Sequence, residues 1–393
     1  MAAQRRTGSG RRSRVNVTSA ALPEWLSPES GSPCRRAYLE IARHVRSQRL
    51  RPGDLLPTHR EWCERLGVSS DTVAVVMRRL VERGVVARKT RVGTVLLDPA
   101  AWDEVPRVVG VATFAAPQNG PTAFFAELAH RLHEAMVRQG WRSRSYYCLQ
   151  PDEPVSLSQF ANLRPDLAEG RLDALVLLTP LVQAQWQALE DDGVACVHLP
   201  FWEEAPSAVL LDEGAAMRDA LAYLLNAKCR RVLVVRHRPT DVRRCAAGRA
   251  ARALLQGRRL PPRTVSFHQV SGFPTIDKGR AVGAALLGAA DAMPDGLIIF
   301  DDYLAIGVAQ VLASLPAERR PRLVAYANRQ VPTPLAVPAL RMTVDLDQYV
   351  ARATTLLRER LEGRTRAGRI ELVRAESDAS ELTAFGLRSD AVS

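Results

Sequence analysis

Polar and basic side chains gather between residues 58 and 93 in a pattern suited to binding a polyanion. Hydroxyl side chains open two short helical patterns, and a basic turn follows them. Hydroxyls and guanidinium groups are side chains that hydrogen-bond to phosphate oxygens and to base edges. The candidate contact residues are Thr58, His59, Arg60, Ser69, Ser70, Asp71, Thr72, Arg78, Lys89, Arg91 and Gly93.

A first helix is expected just upstream of these residues. Ser32 is a suitable cap, and Pro33 fits the first turn because its missing N–H would be unpaired there anyway. Apolar residues then recur at helical spacing, which predicts one buried face. They are Tyr38, Ile41, Ala42 and Val45.

Two further helices follow, separated by a short turn. Thr58 and Glu61 have the spacing of a capping box, and Gly67 suits the left-handed conformation that closes a helix. Ser69 or Ser70 caps the next helix almost at once. So tight a turn predicts a helix-turn-helix, whose second helix enters the major groove of DNA by its N-terminus.

A basic hairpin comes directly after the third helix. Its predicted strands are residues 85–88 and 94–97, and the turn between them carries Lys89, Arg91 and Gly93. A basic hairpin tip is suited to lie against a phosphate backbone or a minor groove. Together with the helices, it predicts a winged helix-turn-helix.

The charge distribution agrees with this prediction. Residues 1–97 hold 19 basic and 8 acidic side chains, whereas the other 296 residues hold 35 and 34. Nearly all of the net charge of +12 therefore lies at one end of the chain, as expected when only one domain meets a polyanion. Part of the excess comes from residues 1–31, which are rich in Arg, Ser, Gly and Pro and predict a disordered basic tail.

Other classes of protein are disfavoured by the composition. The six cysteines include no C-x-x-C pair, which favours reduced thiols over a disulfide framework or a metal site. No run of about 18 apolar residues is present, and no apolar segment follows the basic N-terminus as in a secretory signal. We therefore expect a cytoplasmic protein with no membrane partner.

Residues 38–97 resemble the DNA-binding domain of the GntR family of bacterial regulators. The motifs are Tyr38-x-x-Ile41-Ala42, Pro52-Gly53-Asp54-x-Leu56-Pro57-Thr58-x-Arg60, Leu66-Gly67-Val68-Ser69-x-x-Thr72-Val73, Leu80-x-x-x-Gly84-Val85-Val86 and Gly93-Thr94. The resemblance implies that Arg60 and Thr72 lie at the DNA. Family members usually carry Arg where this chain has Ser70, followed here by Asp71, so the resemblance implies an operator other than the usual one.

The remaining chain alternates apolar strands with helices, which predicts parallel sheets covered on both faces. The number of repeats favours two lobes over one. The expected strands are residues 108–114, 174–178, 195–199, 232–235, 297–300 and 323–326. The expected helices are residues 124–139, 183–189, 213–225, 244–255, 278–287, 303–312 and 346–361.

This part of the chain, roughly residues 107–363, resembles the LacI-type effector domain, itself similar to periplasmic sugar-binding proteins. The motifs include Val109-Gly110-Val111, Leu172-Asp173-Ala174, Asp212-Glu213-Gly214, Phe300-Asp301-Asp302-Tyr303-Leu304-Ala305-Ile306-Gly307 and Val337-Pro338-Ala339-Leu340. The resemblance implies a ligand held between two lobes by loops at the carboxyl ends of the strands. A GntR-type reader fused to such a domain is similar to arabinose-responsive repressors.

Three positions depart from the ligand-binding pattern of that family. Its arginine falls on Cys245, with Arg244 one place earlier. Its asparagine falls on Asp301, and its aspartate falls on Ala327, with Asn328 next. The resemblance therefore implies different contacts to an effector, with Arg244 and Asp301 as the preferred polar groups. The candidate effector-binding residues are Asn119, Phe125, Trp202, Arg244, Asp301, Tyr303 and Asn328. The aromatic residues Phe125, Phe201, Trp202 and Tyr303 could stack on a ring, but core packing is the favoured role for at least two of them.

An enzyme is the main alternative class. Some GntR-type readers are fused to an aminotransferase-like domain, which needs a lysine to bind pyridoxal phosphate. The three lysines, Lys89, Lys228 and Lys278, have no convincing setting for that chemistry. His130 and His133 share one helix face but lack further ligands at metal-binding spacing. We predict no catalytic residues, no cofactor and no metal.

The sequence as a whole predicts a sequence-specific DNA-binding regulator, with repression as the family default, that acts as a homodimer. A small-molecule effector, with a carbohydrate as the implied class, controls its binding to a double-stranded DNA operator. The alternative is a reader fused to a degenerate or pyridoxal-phosphate-type domain. The predicted division is a tail (1–31), a winged helix-turn-helix (32–97), a linker (98–106) and an effector-binding and dimerisation domain (107–393).

Overall fold

The structure is a computed structural model. It describes residues 24–26, 32–102, 105–114, 123–148, 155–191, 194–200, 205, 207–237, 245–288, 293–362 and 369–377. Most of the predicted tail, and three of the candidate effector residues (Asn119, Trp202 and Arg244), lie outside these ranges.

Residues 33–96, which we call the reader domain, form three helices and a two-stranded hairpin. The elements are α1 Pro33–Ser47, α2 His59–Leu66, α3 Ser70–Glu82, β1 Val86–Lys89 and β2 Gly93–Leu96. The predicted caps are confirmed: Ser32 caps α1, Thr58 and Glu61 form the capping box of α2, and Gly67 ends α2 with φ 60°. Between the two serines that the sequence left open, Ser69 is the cap of α3.

The hairpin differs from its prediction by one residue on each strand. β1 and β2 pair antiparallel with Val86 opposite Leu96 and Lys89 opposite Gly93. The segment around Leu56 pairs with β2 on the side away from β1. There, the N–H of Leu56 donates to the carbonyl of Thr94 at 2.9 Å. This segment follows the first helix and was not predicted, because the proline-rich run around it reads as a turn.

Apolar burial holds the reader together. Tyr38, Trp62, Val76 and Leu80 each keep 2% or less of their surface exposed. Burying side chains of this size contributes about 1.5–3 kcal/mol each. Trp102, beyond the hairpin, packs into the same core, with its ring centroid 5.1 Å from that of Tyr38.

The rest of the described chain has the alternating α/β pattern that the sequence predicted. In chain order the elements are β3 Val108–Phe114, α4 Ala123–Arg138, β4 Arg142–Cys148, α5 Leu163–Ala168, β5 Ala174–Leu177, α6 Gln183–Asp191, β6 Ala195–His198, β7 Ala208–Leu211, α7 Glu213–Asn226, β8 Val232–Arg236, α8 Ala246–Gly257, β9 Val265–Gln269, α9 Ile276–Gly288, β10 Gly296–Ile299, α10 Asp302–Leu312, β11 Arg322–Asn328, β12 Ala339–Val344, α11 Leu346–Leu361, β13 Ile370–Val373 and β14 Glu376–Ser377.

These strands form two six-stranded sheets, which confirms the two-lobed prediction. The first sheet has the order β13-β7-β6-β5-β3-β4 with all pairs parallel, and its lobe is called the N-lobe. The second has the order β14-β12-β11-β10-β8-β9, with only β14 antiparallel, and its lobe is called the C-lobe. The central strands are fully buried, as strands covered on both faces must be.

The described chain passes between the lobes at three places: after β7, after β12 and after β13. Two aspartates stand at the first two crossings and cap the helices that follow, Asp212 for α7 and Asp345 for α11. At the third, the carbonyl of Val373 accepts from the N–H of Asp212 at 2.8 Å. The crossings therefore lie together, as in a hinge.

In the C-lobe, α9 and α10 approach until their backbones touch. A Cβ added to Gly307 would meet the carbonyl oxygen of Ile276 and lie 2.6 Å from the N atom of Arg280. Glycine is required at such a contact because any side chain would force the helices apart.

None of the helices that the structure describes combines the length and the apolar composition that a membrane crossing requires.

Candidate functional sites: a nucleic-acid interface and an interlobe cleft

The first turn of α2 is fixed by its own cap. The N–H of Thr58 donates to Glu61 Oε2 at 2.7 Å, and the Thr58 hydroxyl donates to the same oxygen at 2.9 Å. These bonds, the backbone one above all, lower the pKa of the Glu61 carboxyl. Thr58 thus orients the start of α2 while its side chain stays at the surface.

A hydrogen bond joins α2 to the start of α3. Nε2 of His59 lies 3.0 Å from the hydroxyl of Ser70. At the N-cap of α3, the hydroxyls of Ser69 and Thr72 are 2.9 Å apart, and Ser69 accepts from the N–H of Thr72 at 3.2 Å. The structure therefore brings these four polar residues, which the sequence singled out, to one end of the helix-turn-helix.

The exposed residues at this end are Ser69, Ser70 and Asp71. The carboxylate of Asp71 suits the N-terminus of α3 because it complements the positive end of the helix dipole. The same charge opposes a nearby phosphate, so the leading turn favours base edges over backbone. Thr72 is half-buried, and its hydroxyl is already engaged by the cap.

Arginines flank the leading turn. The Arg60 side chain is 89% exposed, and its Nε donates to Glu64 Oε1 at 2.9 Å. Since this pair uses Nε, the two terminal nitrogens of the exposed guanidinium are the ones that could bind a phosphate. Arg78 is also exposed on α3.

The hairpin tip carries the remaining basic residues. Lys89 and Arg91 are exposed, and Arg91 adopts a positive φ of 65°. Gly93 has φ 121°, a conformation that side-chain-bearing residues rarely adopt, and this conformation closes the turn. The predicted DNA-contacting residues thus share the reader's surface, in contrast to its buried core.

The second candidate site lies where the strands of the C-lobe end. Asp301 follows β10 and caps α10, with its Oδ1 accepting from the N–H of Leu304 at 2.8 Å. Its other oxygen lies 3.8 Å from Nδ1 of His237, at the end of β8. Asp301, a preferred polar group in the sequence interpretation, is therefore already engaged within the lobe.

Asp302 and Asn328 form a buried pair beside it. Nδ2 of Asn328 donates to Asp302 Oδ2 at 3.2 Å. Burial raises the pKa of Asp302 to about 6, against hydrogen bonds from the backbone and from Asn328 that lower it. Oδ1 of Asn328 has no hydrogen-bond partner in the part of the chain that the structure describes. A ligand donor is the kind of partner that such an oxygen can accept.

Sequence reasoning missed the buried guanidinium of Arg236 at the end of β8. Its Nη1 lies 2.8 Å from Sγ of Cys245, the residue that stands where the LacI-type pattern has arginine. Its Nη2 pairs with Glu213 Oε2 at 3.3 Å. The available signal was an arginine that closes the apolar run of residues 232–235.

Aromatic residues connect the two lobes. The ring centroid of Phe125, on α4 of the N-lobe, lies 6.2 Å from that of Phe273 in the C-lobe. Phe125 is 6% exposed. Burial raises the pKa of Tyr303, while a hydrogen bond with the backbone of Ala123 opposes that rise. Two of the predicted effector residues, Phe125 and Tyr303, therefore take part in contacts between lobes.

The histidines considered as metal ligands have protein partners. Nε2 of His133 lies 2.8 Å from the Ser145 hydroxyl, and His130 lies 3.4 Å from Glu134. Across the described ranges, no three His, Cys, Asp or Glu side chains are grouped as a metal ion would need.

Comparisons with known proteins bear on the reader domain and on the fold of the two-lobed part. Residues 33–96 match the sequence profile described as "Bacterial regulatory proteins, gntR family". A search among curated protein sequences gives no match.

Solved structures match the two-lobed part of the chain. The Cra transcriptional dual regulator of Pseudomonas putida, in complex with fructose 1-phosphate, has a TM-score of 0.56 and 22% identity, covering 69% of this chain and 98% of that one. The lac repressor dimer bound to operator and the anti-inducer ONPF has a TM-score of 0.53 and 14% identity, covering 70% and 94%. A LacI family regulator of Lactobacillus casei with bound sucrose has a TM-score of 0.52 and 19% identity, covering 69% and 98%.

The matched reader domain defines the class: the protein is a DNA-binding transcriptional regulator. More particularly, it joins a GntR-type helix-turn-helix at residues 33–96 to a two-lobed domain with the fold of LacI-family regulators. That fold is not the one that the pyridoxal phosphate alternative required. Within the C-lobe, the Lys278 ammonium donates hydrogen bonds to the carbonyls of Ser271 and Phe273, at 2.7 and 2.8 Å.

Proposed function

We propose that this regulator is a cytoplasmic homodimeric repressor whose operator binding is controlled by a small molecule in the cleft between its lobes. The observation that carries the proposal is the union of a GntR-type reader with a LacI-type two-lobed fold in one chain. An enzymatic role is not proposed, because the similar folds belong to transcriptional regulators.

The DNA contacts in this proposal come from three surfaces of the reader. The leading turn of α3 reads base edges, the start of α2 positions the helix, and the hairpin tip meets the backbone. The proposed residues are Thr58, His59, Arg60, Ser69, Ser70, Asp71, Thr72, Arg78, Lys89, Arg91 and Gly93. The exposure of most of these residues and the surplus of basic side chains at this end of the chain support the assignment.

Arg60→Ala tests the DNA face. With an operator selected from random DNA, we expect this change to lower affinity by about tenfold and the salt slope of binding by about 1, because one phosphate contact is lost. Arg319→Ala, which removes an exposed arginine of the C-lobe, is the matched control and should leave both quantities unchanged. Equal loss in the two variants, or loss in neither, contradicts the assignment of this face.

The proposed effector is a sugar or a sugar derivative. Two of the similar regulators were solved with fructose 1-phosphate and with sucrose. The proposed contacts from the described residues are Phe125, Asp301, Tyr303 and Asn328, and the free Oδ1 of Asn328 offers an acceptor for a hydroxyl. Asn119, Trp202 and Arg244 are proposed on sequence grounds.

A thermal-shift screen of sugars, sugar phosphates, sugar acids and polyols tests this class. A ligand present at about 100 times its Kd should stabilise the protein by about 2.7 kcal/mol. Asn328→Ala should abolish the shift, whereas Asn226→Ala, at the end of α7, should retain it. No shift with any member of the screen would exclude these compounds as effectors.

The proposed dimer places two readers on half-sites about one helical turn apart. The lac repressor that matches this fold was solved as a dimer on its operator. Sedimentation equilibrium of the full chain should give twice the 43.2 kDa of the monomer.

A further inference from the structure

The reader domain is docked on the N-lobe through the first turn of α1. Arg35 has no exposed surface. Its Nη2 donates to Asp173 Oδ2 at 2.7 Å, and its Nη1 lies 3.4 Å from Oδ1 of the same carboxylate. Nη2 also donates to the carbonyl of Pro106 at 3.2 Å. One guanidinium of the reader is thus buried by the N-lobe and by the segment that joins the two.

The Asp173 carboxylate does not depend on Arg35 for its hydrogen bonds. It stands just before β5 and accepts from the N–H of Val108, the first residue of β3, at 2.7 Å. Nη1 of Arg107 approaches its other oxygen at 3.5 Å. If the reader moved away, Asp173 would keep these partners and Arg35 would be hydrated, so separation strands no buried charge.

The remainder of this joint is loosely packed. A cavity of about 650 Å³ lies between α1, the segment after the hairpin, and the ends of α4 and α11. Tyr38 and Trp102 line it on the reader side, and Trp141 and Arg358 line it on the N-lobe side. This cavity is open to solvent on one side, so apolar packing across it contributes little to holding this joint.

The docked position leaves the DNA face open. Arg60, Ser70, Asp71 and Lys89 stay exposed while Arg35 is buried. Cys34, next to Arg35, contacts α3: its Sγ lies 4.0 Å from the carbonyl of Thr72. Helix α1 therefore links the Asp173 contact to the first turn of α3.

We propose that the Arg35–Asp173 pair fixes the orientation of the reader on the N-lobe and so sets the half-site spacing that the protein accepts. Arg35 acts as a positioning residue: it makes no DNA contact, and it transmits the placement of the N-lobe to α3. The inference rests on the proposed DNA-binding function. The inference adds that a polar contact that can separate couples the reader domain to the N-lobe, and that the chain segment joining them does not do so alone.

The test compares Arg35→Gln, Asp173→Asn and the exchanged pair Arg35→Asp with Asp173→Arg, all in the full-length protein. Arg36→Gln is the matched control because Arg36 is the neighbouring exposed arginine on the same helix. Gel-shift titrations use three DNA fragments: a single half-site, two half-sites at the selected spacing, and two half-sites moved apart by about five base pairs, or half a helical turn.

We expect wild type and Arg36→Gln to prefer the selected spacing by about tenfold, as a coupling of ordinary size would give. Arg35→Gln and Asp173→Asn should bind the single half-site as wild type does, within about twofold, and prefer the selected spacing by less than about threefold. The exchanged pair should regain part of the preference. Spacing preference in Arg35→Gln equal to that of wild type would overturn the proposal.

Small-angle X-ray scattering without DNA separates this inference from the proposed function. The two single variants should have a larger radius of gyration than wild type and Arg36→Gln, because the reader is released. If wild type binds no DNA sequence-specifically while this expansion occurs, the proposed function fails and the joint stands. If neither the radius of gyration nor the spacing preference changes in the two single variants, the proposed role of the Arg35–Asp173 pair is contradicted and the proposed function stands.

Discussion

The reader's DNA face and the interlobe cleft are built in opposite ways. The face draws its polar residues from 36 consecutive positions, 58–93, and leaves most of them exposed. The cleft is the candidate site at the carboxyl ends of the C-lobe strands. It draws Arg236, Asp301 and Asn328 from three strand ends far apart in sequence, and each is buried. Asp301 and Asn328 already bond within their own lobe.

This difference indicates how each surface meets its partner. The face presents exposed side chains that need little rearrangement, so DNA mainly replaces water and counterions. A ligand in the cleft must compete with hydrogen bonds that the protein makes to itself, or use the few groups left over, such as Oδ1 of Asn328. In the proposed function, ligand binding in the cleft is therefore the step that can rearrange the two lobes.

The strongest way to separate the two regions is to unfold only one of them. Trp62 is 2% exposed at the centre of the reader, with His44 at 5.1 Å between ring centroids. Trp62→Ala should cost about 3–5 kcal/mol, since it leaves a large cavity in a small core. Calorimetry should show the reader transition lost and the two-lobed transition kept.

Trp62→Phe serves as the control for this change, because it keeps an aromatic ring in the core and should retain DNA binding. Joint loss of both transitions in Trp62→Ala would show that the reader and the lobes fold as one unit.

The converse change acts on the C-lobe. Gly307→Ala places a methyl group against the backbone of α9, 2.6 Å from the N atom of Arg280. We expect a loss of about 3 kcal/mol in the free energy of unfolding, by urea denaturation, because two packed helices must move apart. Gly288→Ala, where an added Cβ meets nothing within 4 Å, should be neutral or slightly stabilising. Similar losses in both variants would contradict the close helix contact.

A smaller effect distinguishes the cleft by its response to pH. The folded-state pKa of Asp302 is raised to about 6, above its ordinary value of about 4. Folding therefore favours the protonated carboxyl. The ionised carboxyl of Asp302 lowers the free energy of unfolding. This loss is absent below about pH 4, grows as pH rises to about 6, and is constant above that.

Asp302→Asn should remove this cost and raise the free energy of unfolding by about 1–3 kcal/mol at pH 7.5, with little change near pH 4. The exposed Asp191→Asn is the control and should show no pH-dependent gain. A difference between Asp302→Asn and wild type that is the same at pH 4 and pH 7.5 would contradict the assigned pKa.

Sequence patterns predicted most elements with a regular burial pattern, although they missed β7, whose four residues are all buried. The central strands β5 and β10 were found because all of their residues are buried and apolar. Helix α11 was predicted with the bounds that the structure shows. The caps of the reader were found because capping depends on residues only three positions apart.

The missed elements are mainly edge strands. β4, β9 and β13 lie at sheet edges and lack a continuous apolar run. In the cleft, the sequence pointed to Asp301, but its role as a helix cap appears only in three dimensions. The contact of Arg236 with Cys245 and the burial of Arg35 against Asp173 likewise depend on tertiary packing, which no local pattern encodes.

The central claim is that a ligand in the cleft changes binding at the reader, and fluorescence anisotropy of a labelled operator tests it most directly. With a compound that raises the melting temperature, we expect the operator Kd to change at least about fivefold, and saturating operator to change the compound's Kd by the same factor. An operator Kd that is identical with and without such a compound would contradict the account.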